Sequence, residues 1–185
     1  ETPLIAAVQA KNNEDMVRLL LNRGADIDLP NSQGYTPLYV ATIGGDMELV
    51  KLLLENNAKV DVGEHKSGTT ALVFASTSGY TEIVAMLLEK NADVNVKATD
   101  TGGSAISGAC HFGHVEIVRM LLDRGIDVNV RIGEIGYTPL FSAAQEGHVK
   151  LVNFLLDHNA DVNLVDGEGL SILGQAALNG HEEVV

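Results

Sequence analysis

Three residues that lie close together in the chain have the chemistry to hold a metal ion. Cys110, His111 and His114 form the string C-H-x-x-H, and thiolate and imidazole groups are common zinc ligands. Cys110, however, takes the place of Ala144 and Ala177 in similar segments further along the chain, so we expect it to be a small buried residue. We therefore predict no metal and no cofactor, and His111 remains a candidate for contact with a partner.

The acidic residues are the other candidates, because paired carboxylates can act as general acid and base. Glu48, Glu82 and Glu116 fall in the first turn of predicted helices, where negative charge meets the helix dipole favourably. Four more acids share one position after these helices and should bond backbone N–H groups locally: Asp26, Asp93, Asp127 and Asp161. A catalytic pair would occur once, whereas these acids recur at fixed places. The chain also lacks a nucleophile elbow, an HExxH motif and a phosphate-binding glycine loop, so we predict no catalytic residues and no enzyme.

The stretch 136–169 shows which elements position these residues. Thr138 can cap a helix that begins at Pro139, where the missing N–H of proline costs nothing. A second helix is predicted over 149–157 from apolar residues at helical spacing, and Asn159 lies where a left-handed residue ends a helix. The following ADVNLVDGEG is extended and then rich in turn residues, which favours a hairpin loop. Two such short helices cannot bury their apolar faces alone, so the unit needs neighbours.

Copies of this unit fill the chain. Counterparts of Thr138 occur 33 or 34 residues apart at Thr2, Thr36, Thr70, Ser104 and Ser171. Helix stops recur at Gly24, Asn57, Asn91, Gly125 and Asn159. Apolar triplets of the second helix recur as well, for example Leu52-Leu53-Leu54 and Phe154-Leu155-Leu156. The caps, the helix stops and the apolar triplets recur with the same spacing. We therefore interpret the chain as a repeat array.

The motifs GYTPLYVA, GYTPLFSAA, GHVEIV and GHVKLV resemble those of ankyrin-repeat proteins, and the resemblance extends from end to end. It implies an all-α solenoid of about six stacked helix-turn-helix repeats, with β-hairpin finger loops and a concave groove. It also implies that His114, His148 and His181 bond the backbone at helix–helix turns. The family's histidine after T-P-L is missing and is replaced by Ile5, Tyr39, Val73, Ser107, Phe141 and Gly174. We therefore expect more apolar packing between repeats there.

We expect a single repeat domain over residues 1–185. The repeats are predicted at about 1–30, 31–63, 64–97, 98–131, 132–165 and 166–185, with the first and last incomplete. The chain starts at Glu1 without an initiator Met or a signal-peptide pattern, so we expect an excised segment.

The charge balance limits the class of partner. A net charge of −13 disfavours nucleic acid and anionic membrane surfaces and permits a basic protein or peptide. No run approaches the roughly 18 apolar residues of a membrane helix, so we expect no membrane insertion in this segment. The single cysteine fits a reducing, intracellular compartment, and we expect a monomer.

The resemblance also implies which positions reach a partner, namely the hairpin tips and the ends of the inner helices. The predicted contact residues are Tyr35, Ile43, Lys66, Thr69, Asp100, His111, Phe112, Glu134, Ile135, Tyr137, Gln145 and Glu146. Among them we predict an apolar hot spot of Phe112, Ile135 and Tyr137, which Phe141 would extend. In the alternative interpretation, Tyr35 and Tyr137 only pack between neighbouring hairpins.

The sequence thus predicts a non-catalytic scaffold that binds a protein or peptide through its finger tips and concave face. Two alternatives stay open. The array is a regulatory or targeting segment of a larger enzyme or channel, or it is itself a substrate, because Asn95, Asn129 and Asn163 resemble sites that asparaginyl hydroxylases modify in this family.

Overall fold

A computed structural model describes residues 2–10, 13–99, 102–133 and 135–184. Within these ranges the chain forms eleven α-helices and no β-strand. The helices are α1 (Pro3–Gln9), α2 (Glu14–Asn22), α3 (Pro37–Ile43), α4 (Met47–Glu55), α5 (Ala71–Ser78), α6 (Thr81–Glu89), α7 (Ala105–His111), α8 (Val115–Asp123), α9 (Pro139–Gln145), α10 (Val149–Asp157) and α11 (Ile172–Leu178).

The odd-numbered helices, α1 to α11, are the inner helices. Each of them begins with a hydroxyl cap, as the sequence predicted. Thr138 Oγ1 accepts the N–H of Phe141 at 3.1 Å, which satisfies one of the unpaired first-turn donors. The same bond forms at the other five predicted positions: Thr2, Thr36, Thr70, Ser104 and Ser171.

The even-numbered helices, α2 to α10, are the outer helices. They end at the predicted left-handed residues. Asn57, Asn91 and Asn159 have φ values of 63°, 59° and 64°, and Gly24 and Gly125 have 82° and 90°. These are the residue types that tolerate this conformation best, so the local sequence alone determines where each outer helix stops.

The helices stack in two layers. Each inner helix packs against the next one, from α1 to α11, and the outer helices α4 to α10 stack behind them. Gly108 of α7 faces Thr77 of α5 so closely that an added Cβ would overlap the threonine side chain. Glycine at this position therefore allows the backbones of α5 and α7 to approach each other.

The position of the missing histidine is filled by apolar side chains in four helix pairs. Ile5, Tyr39, Val73 and Phe141 are all buried there, which confirms the expected apolar packing. Helix α7 differs, because Ser107 turns back and closes a capping box with Ser104.

The finger loops between the helix pairs form a row joined by backbone hydrogen bonds. The N–H of Thr99 donates to the carbonyl of Ser67 at 2.6 Å, and the N–H of Gly167 donates to the carbonyl of Ile135 at 2.9 Å. Within three loops the expected β-hairpin is reduced to one antiparallel bridge: Lys97 with Ser104, Ile132 with Tyr137, and Val165 with Ser171.

The last inner helix is less covered than the others. Leu173 and Leu178 of α11 are exposed, and residues 182–184 form turns rather than a second helix. No helix in the described part of the chain has both the length and the apolar character needed to cross a bilayer.

Candidate functional site

An open channel of about 700 Å³ runs along α7 on the inner-helix face. We call it the α7 furrow. Val73, Phe74 and Thr77 of α5 form one side, and Thr69, Ile132 and Tyr137 close the end near the finger loops. The face of α7 itself supplies Ser107, Gly108, His111 and Phe112. The furrow therefore spans three neighbouring helix pairs.

The furrow is open at α7 because a small residue, Ser107, lies on this face of the helix. Ser107 stands where Tyr39, Val73 and Phe141 stand in other inner helices, and Gly108 follows it directly. With no large side chain on this face, the surface between Phe74 and Tyr137 stays open. The sequence comparison between repeats contained this signal, but the prediction concentrated on large residues and missed these small ones.

Phe112 forms the opposite wall and is the most exposed aromatic residue of the furrow, with 53% of its surface accessible. Its ring lies edge-on to that of His111, with centroids 4.7 Å apart, and nearly parallel to that of His114 at 6.2 Å. Two imidazoles thus flank the exposed phenyl ring. This confirms that Phe112 is exposed on the groove side, as the sequence predicted.

Tyr137 combines the two interpretations offered for it. It lines the furrow and is half-buried, and its ring stacks on that of Phe141 with centroids 4.5 Å apart and planes 8° from parallel. Phe141 lies beneath it and is only 1% exposed. The prediction that Phe141 extends the apolar surface is therefore wrong, because Tyr137 covers it.

The rim beside α7 carries a polar contact between two helix pairs. His111 Nδ1 lies 3.3 Å from Glu146 Oε1, and the side-chain amide of Gln145 donates to the same oxygen at 3.2 Å. Gln145 and Glu146 are thus held beside the furrow without lining it. Ile135 is exposed on the neighbouring finger loop, outside the furrow.

Two of the predicted contacts belong to a different place on the inner face. Tyr35 and Ile43 line a separate hollow of about 390 Å³ with Val8 and Val40, which shares no residue with the α7 furrow. The ring of Tyr35 packs at 5.2 Å on that of Tyr39. Burial, helped by the nearby carboxylate of Glu64, raises the pKa of Tyr39 to about 12. The predicted contact residues therefore do not form one site.

The remaining predicted contacts have mixed positions. Thr69 lines the furrow, whereas the side chain of Lys66 is exposed and its backbone N–H donates to Glu64. Asp100 and Glu134, which are two of the predicted contact residues, lie outside the described residues.

Sequence reasoning missed Glu64, a carboxylate that is only 7% exposed. It accepts the N–H of Lys66 at 2.8 Å and bonds to both the N–H and the hydroxyl of Ser67. These hydrogen bonds, that of the Ser67 side chain first, hold the pKa of Glu64 below its usual value. Asn31 and Asp166 start their loops in the same way, and that recurrence was the available signal.

The C-H-x-x-H string is dispersed by the fold. Cys110 is fully buried, and burial raises the pKa of its thiol. His114 Nε2 donates to the Thr77 carbonyl at 3.3 Å, and His148 and His181 make the corresponding bonds to the carbonyls of His111 and Gln145 in the repeat before their own. The role implied for these histidines is therefore confirmed. In the ranges that the structure describes, no three His, Cys, Asp or Glu side chains group as metal ligands would.

The asparagines proposed as modification sites lie on the loops after the outer helices. Asn129 Oδ1 accepts the N–H of Asp161 in the next repeat at 2.9 Å. Asn95 and Asn163 are exposed, and each donates its side-chain amide to the aspartate two residues before it. Asn129 thus differs in its surroundings from Asn95 and Asn163, which resemble each other.

Comparison with known proteins is consistent with this architecture. A family model described as ankyrin repeats matches residues 4–98, 61–132 and 109–185. Over 59 residues, the chain is 37% identical to ankyrin repeat protein OPG189 of vaccinia virus, strains Copenhagen and Western Reserve, and of monkeypox virus. That match covers 31% of this chain and 10% of each relative, so the similarity spans only about a tenth of the relatives' length. Because the family matches together extend over nearly all of its length, the chain belongs to the ankyrin-repeat family.

Proposed function

We propose that this chain is a non-catalytic scaffold that binds a protein or peptide partner in the α7 furrow. Ankyrin repeats generally mediate protein–protein interaction, and the observation that carries the proposal is the exposed ring of Phe112 on the wall of an open 700 Å³ channel. Exposed aromatic residues at central positions are frequent anchors of protein interfaces.

The energetics of Phe112 support this role. A phenylalanine side chain gains about 1.5–3 kcal/mol when it passes from water to a fully buried environment. The rings of His111 and His114 flank part of the phenyl ring, and its exposed remainder is the apolar surface that a partner can cover.

The length of the furrow fits a short segment of extended chain. Helix α7 has seven residues and is therefore about 10 Å long, which is the length of about three residues of β-strand. A partner can thus place two or three consecutive side chains along α7 and contact the finger loops with the next ones.

The test is affinity purification of partners with three forms of the protein. The double variant Phe112→Ala/Tyr137→Ala should lose proteins that the wild type retains, whereas Met47→Ala should retain them. Met47 is 45% exposed on outer helix α4, so the control removes a similar apolar surface away from the furrow. Identical sets of retained proteins from all three forms would refute the proposal.

Folding must be measured in parallel, because Tyr137 stacks on Phe141. We expect Phe112→Ala to leave Tm nearly unchanged and Tyr137→Ala to cost on the order of 1 kcal/mol. If Phe112→Ala by itself unfolds the protein, the ring is structural and the groove assignment is wrong.

The second candidate is a regulatory or targeting role within a larger protein, and it is favoured by one observation. The viral relatives are about ten times longer than the stretch that matches. The full-length chain decides between a free scaffold and a segment attached to an enzyme or channel. Modification of Asn95, Asn129 or Asn163 is tested separately by intact mass, which rises by one oxygen per hydroxylated residue.

A further inference from the structure

We propose that the side chain that enters the α7 furrow is cationic, an arginine or lysine from an extended basic segment of the partner. This inference rests on the proposed function and names the chemistry of the ligand at the same site.

The charges around the furrow favour a cation. Among the residues that line it within the described chain, none is Lys, Arg, Asp or Glu, and the imidazole of His111 contacts Glu146 on the rim. The C-terminal ends of α5 and α7 open onto the same end of the furrow, and helix C-termini carry partial negative charge. The whole chain has a net charge of −13. An acidic side chain would therefore meet repulsion and no counter-charge.

Two hydroxyl groups of the furrow, those of Thr69 and Thr77, have their protons committed within the protein. Ser67 has one hydroxyl proton and donates it to the Glu64 carboxylate, so the bond between Ser67 and Thr69 must use the proton of Thr69. Thr77 donates its proton to the Val73 carbonyl at 2.9 Å. With their protons committed, Thr69 and Thr77 present only lone pairs to a ligand. Ammonium and guanidinium groups, which are pure donors, match such a lining.

The walls suit the rest of a basic side chain. Phe74, Phe112 and Tyr137 give the furrow aromatic faces, against which the methylene stem of Lys or Arg can lie. Aromatic faces also attract a cation directly, and arginine most often. A purely apolar side chain would fill the same space but would leave the lone pairs of Thr69 and Thr77 without donors.

The experiment uses a phage library that displays random peptides of about ten residues. Clones that bind the wild-type protein are selected first, and their binding to the Phe112→Ala variant is then measured. Clones that bind the wild type but not the variant depend on the furrow. We expect these clones to be enriched in Arg or Lys. In a synthetic peptide with the sequence of such a clone, replacing the selected Arg or Lys by Gln should raise the Kd about tenfold.

Two further measurements test the charge. Glu146→Gln should weaken binding of the same peptides about two- to fivefold, whereas Glu55→Gln, an exposed acid on outer helix α4, should have no effect. Binding should also weaken when salt is raised from about 0.05 M to about 0.5 M.

Ser78→Trp, at the exposed end of α5, should obstruct the furrow without altering Phe112, and thus serves as a second furrow variant.

The outcomes are distinguishable. The peptides that bind the wild type but not Phe112→Ala decide the charge. If they are acidic, or if their binding depends on Leu, Phe or Met rather than on Arg or Lys, the cationic assignment is wrong while the proposed function stands. If no selected peptide depends on Phe112 or on Ser78→Trp, the proposed function fails as well.

Discussion

The imidazole of His148 donates a hydrogen bond of 2.8 Å to the carbonyl of His111, which belongs to the repeat before it. The ring lies directly over Gly113, so that a Cβ added to this glycine would come within 2.8 Å of the imidazole. His114 over Gly79 and His181 over Gly147 repeat the arrangement. Three helix–helix turns are thus each attached to the preceding repeat by a histidine that requires glycine beneath it.

Gly113→Ala should therefore destabilise the protein more than an ordinary glycine replacement. Gly113 has φ 72°, so any side chain costs about 1–2 kcal/mol in the backbone, and displacement of His148 should add about 1–3 kcal/mol. Gly125→Ala is the matched control, because Gly125 has φ 90° and nothing lies within 4 Å of its added Cβ. Denaturant unfolding measures both. Equal losses for the two variants would show that the histidine contact has no energetic role.

A second inter-repeat bond predicts different effects for two asparagines that look alike in the sequence. Asn129 accepts the N–H of Asp161 in the next repeat, whereas the bonds of Asn163 stay within its own repeat. Asn129→Ala should cost about 0.5–1.5 kcal/mol and speed amide exchange at Asp161. Asn163→Ala should cost less. A larger loss for Asn163→Ala in denaturant unfolding would contradict the assignment.

The features that the sequence predicted correctly are those that depend on local backbone chemistry. The Thr138 cap requires only a hydroxyl beside the first turn, and the stop at Asn159 requires only a residue that tolerates positive φ. The α7 furrow was missed although Ser107 is visible in the sequence, because the opening depends on how this small residue packs between larger residues of neighbouring repeats. Phe141 was misplaced for the same reason, since its burial depends on the ring of Tyr137 above it.

Glu64 predicts how stability changes with pH. Its pKa in the folded protein is lowered from an ordinary value of 4.5 by the hydrogen bonds from Ser67 and Lys66. The ionised carboxylate therefore stabilises the fold at pH above 4.5, and this contribution is lost as pH falls through the folded pKa. Glu64→Gln should be less stable than wild type at neutral pH, and the difference should shrink in acid. Thermal unfolding measured across pH tests this, with Glu55→Gln as the control because Glu55 is an exposed acid. If the stability of Glu64→Gln changed with pH in parallel with that of the wild type, the assignment would be contradicted.

The last repeat should open most readily. Helix α11 packs against α9 on one side, and no outer helix covers it within the described residues, so that Leu178 is 74% exposed. Helix α7, by contrast, lies between α5 and α9 and is backed by α8. In a solenoid each repeat is stabilised mainly by its neighbours, so local opening should cost less free energy at residues 171–185 than at 105–111. Hydrogen exchange should be fastest over 171–185, and equal protection of the two segments would show that the last repeat is as stable as the centre of the array.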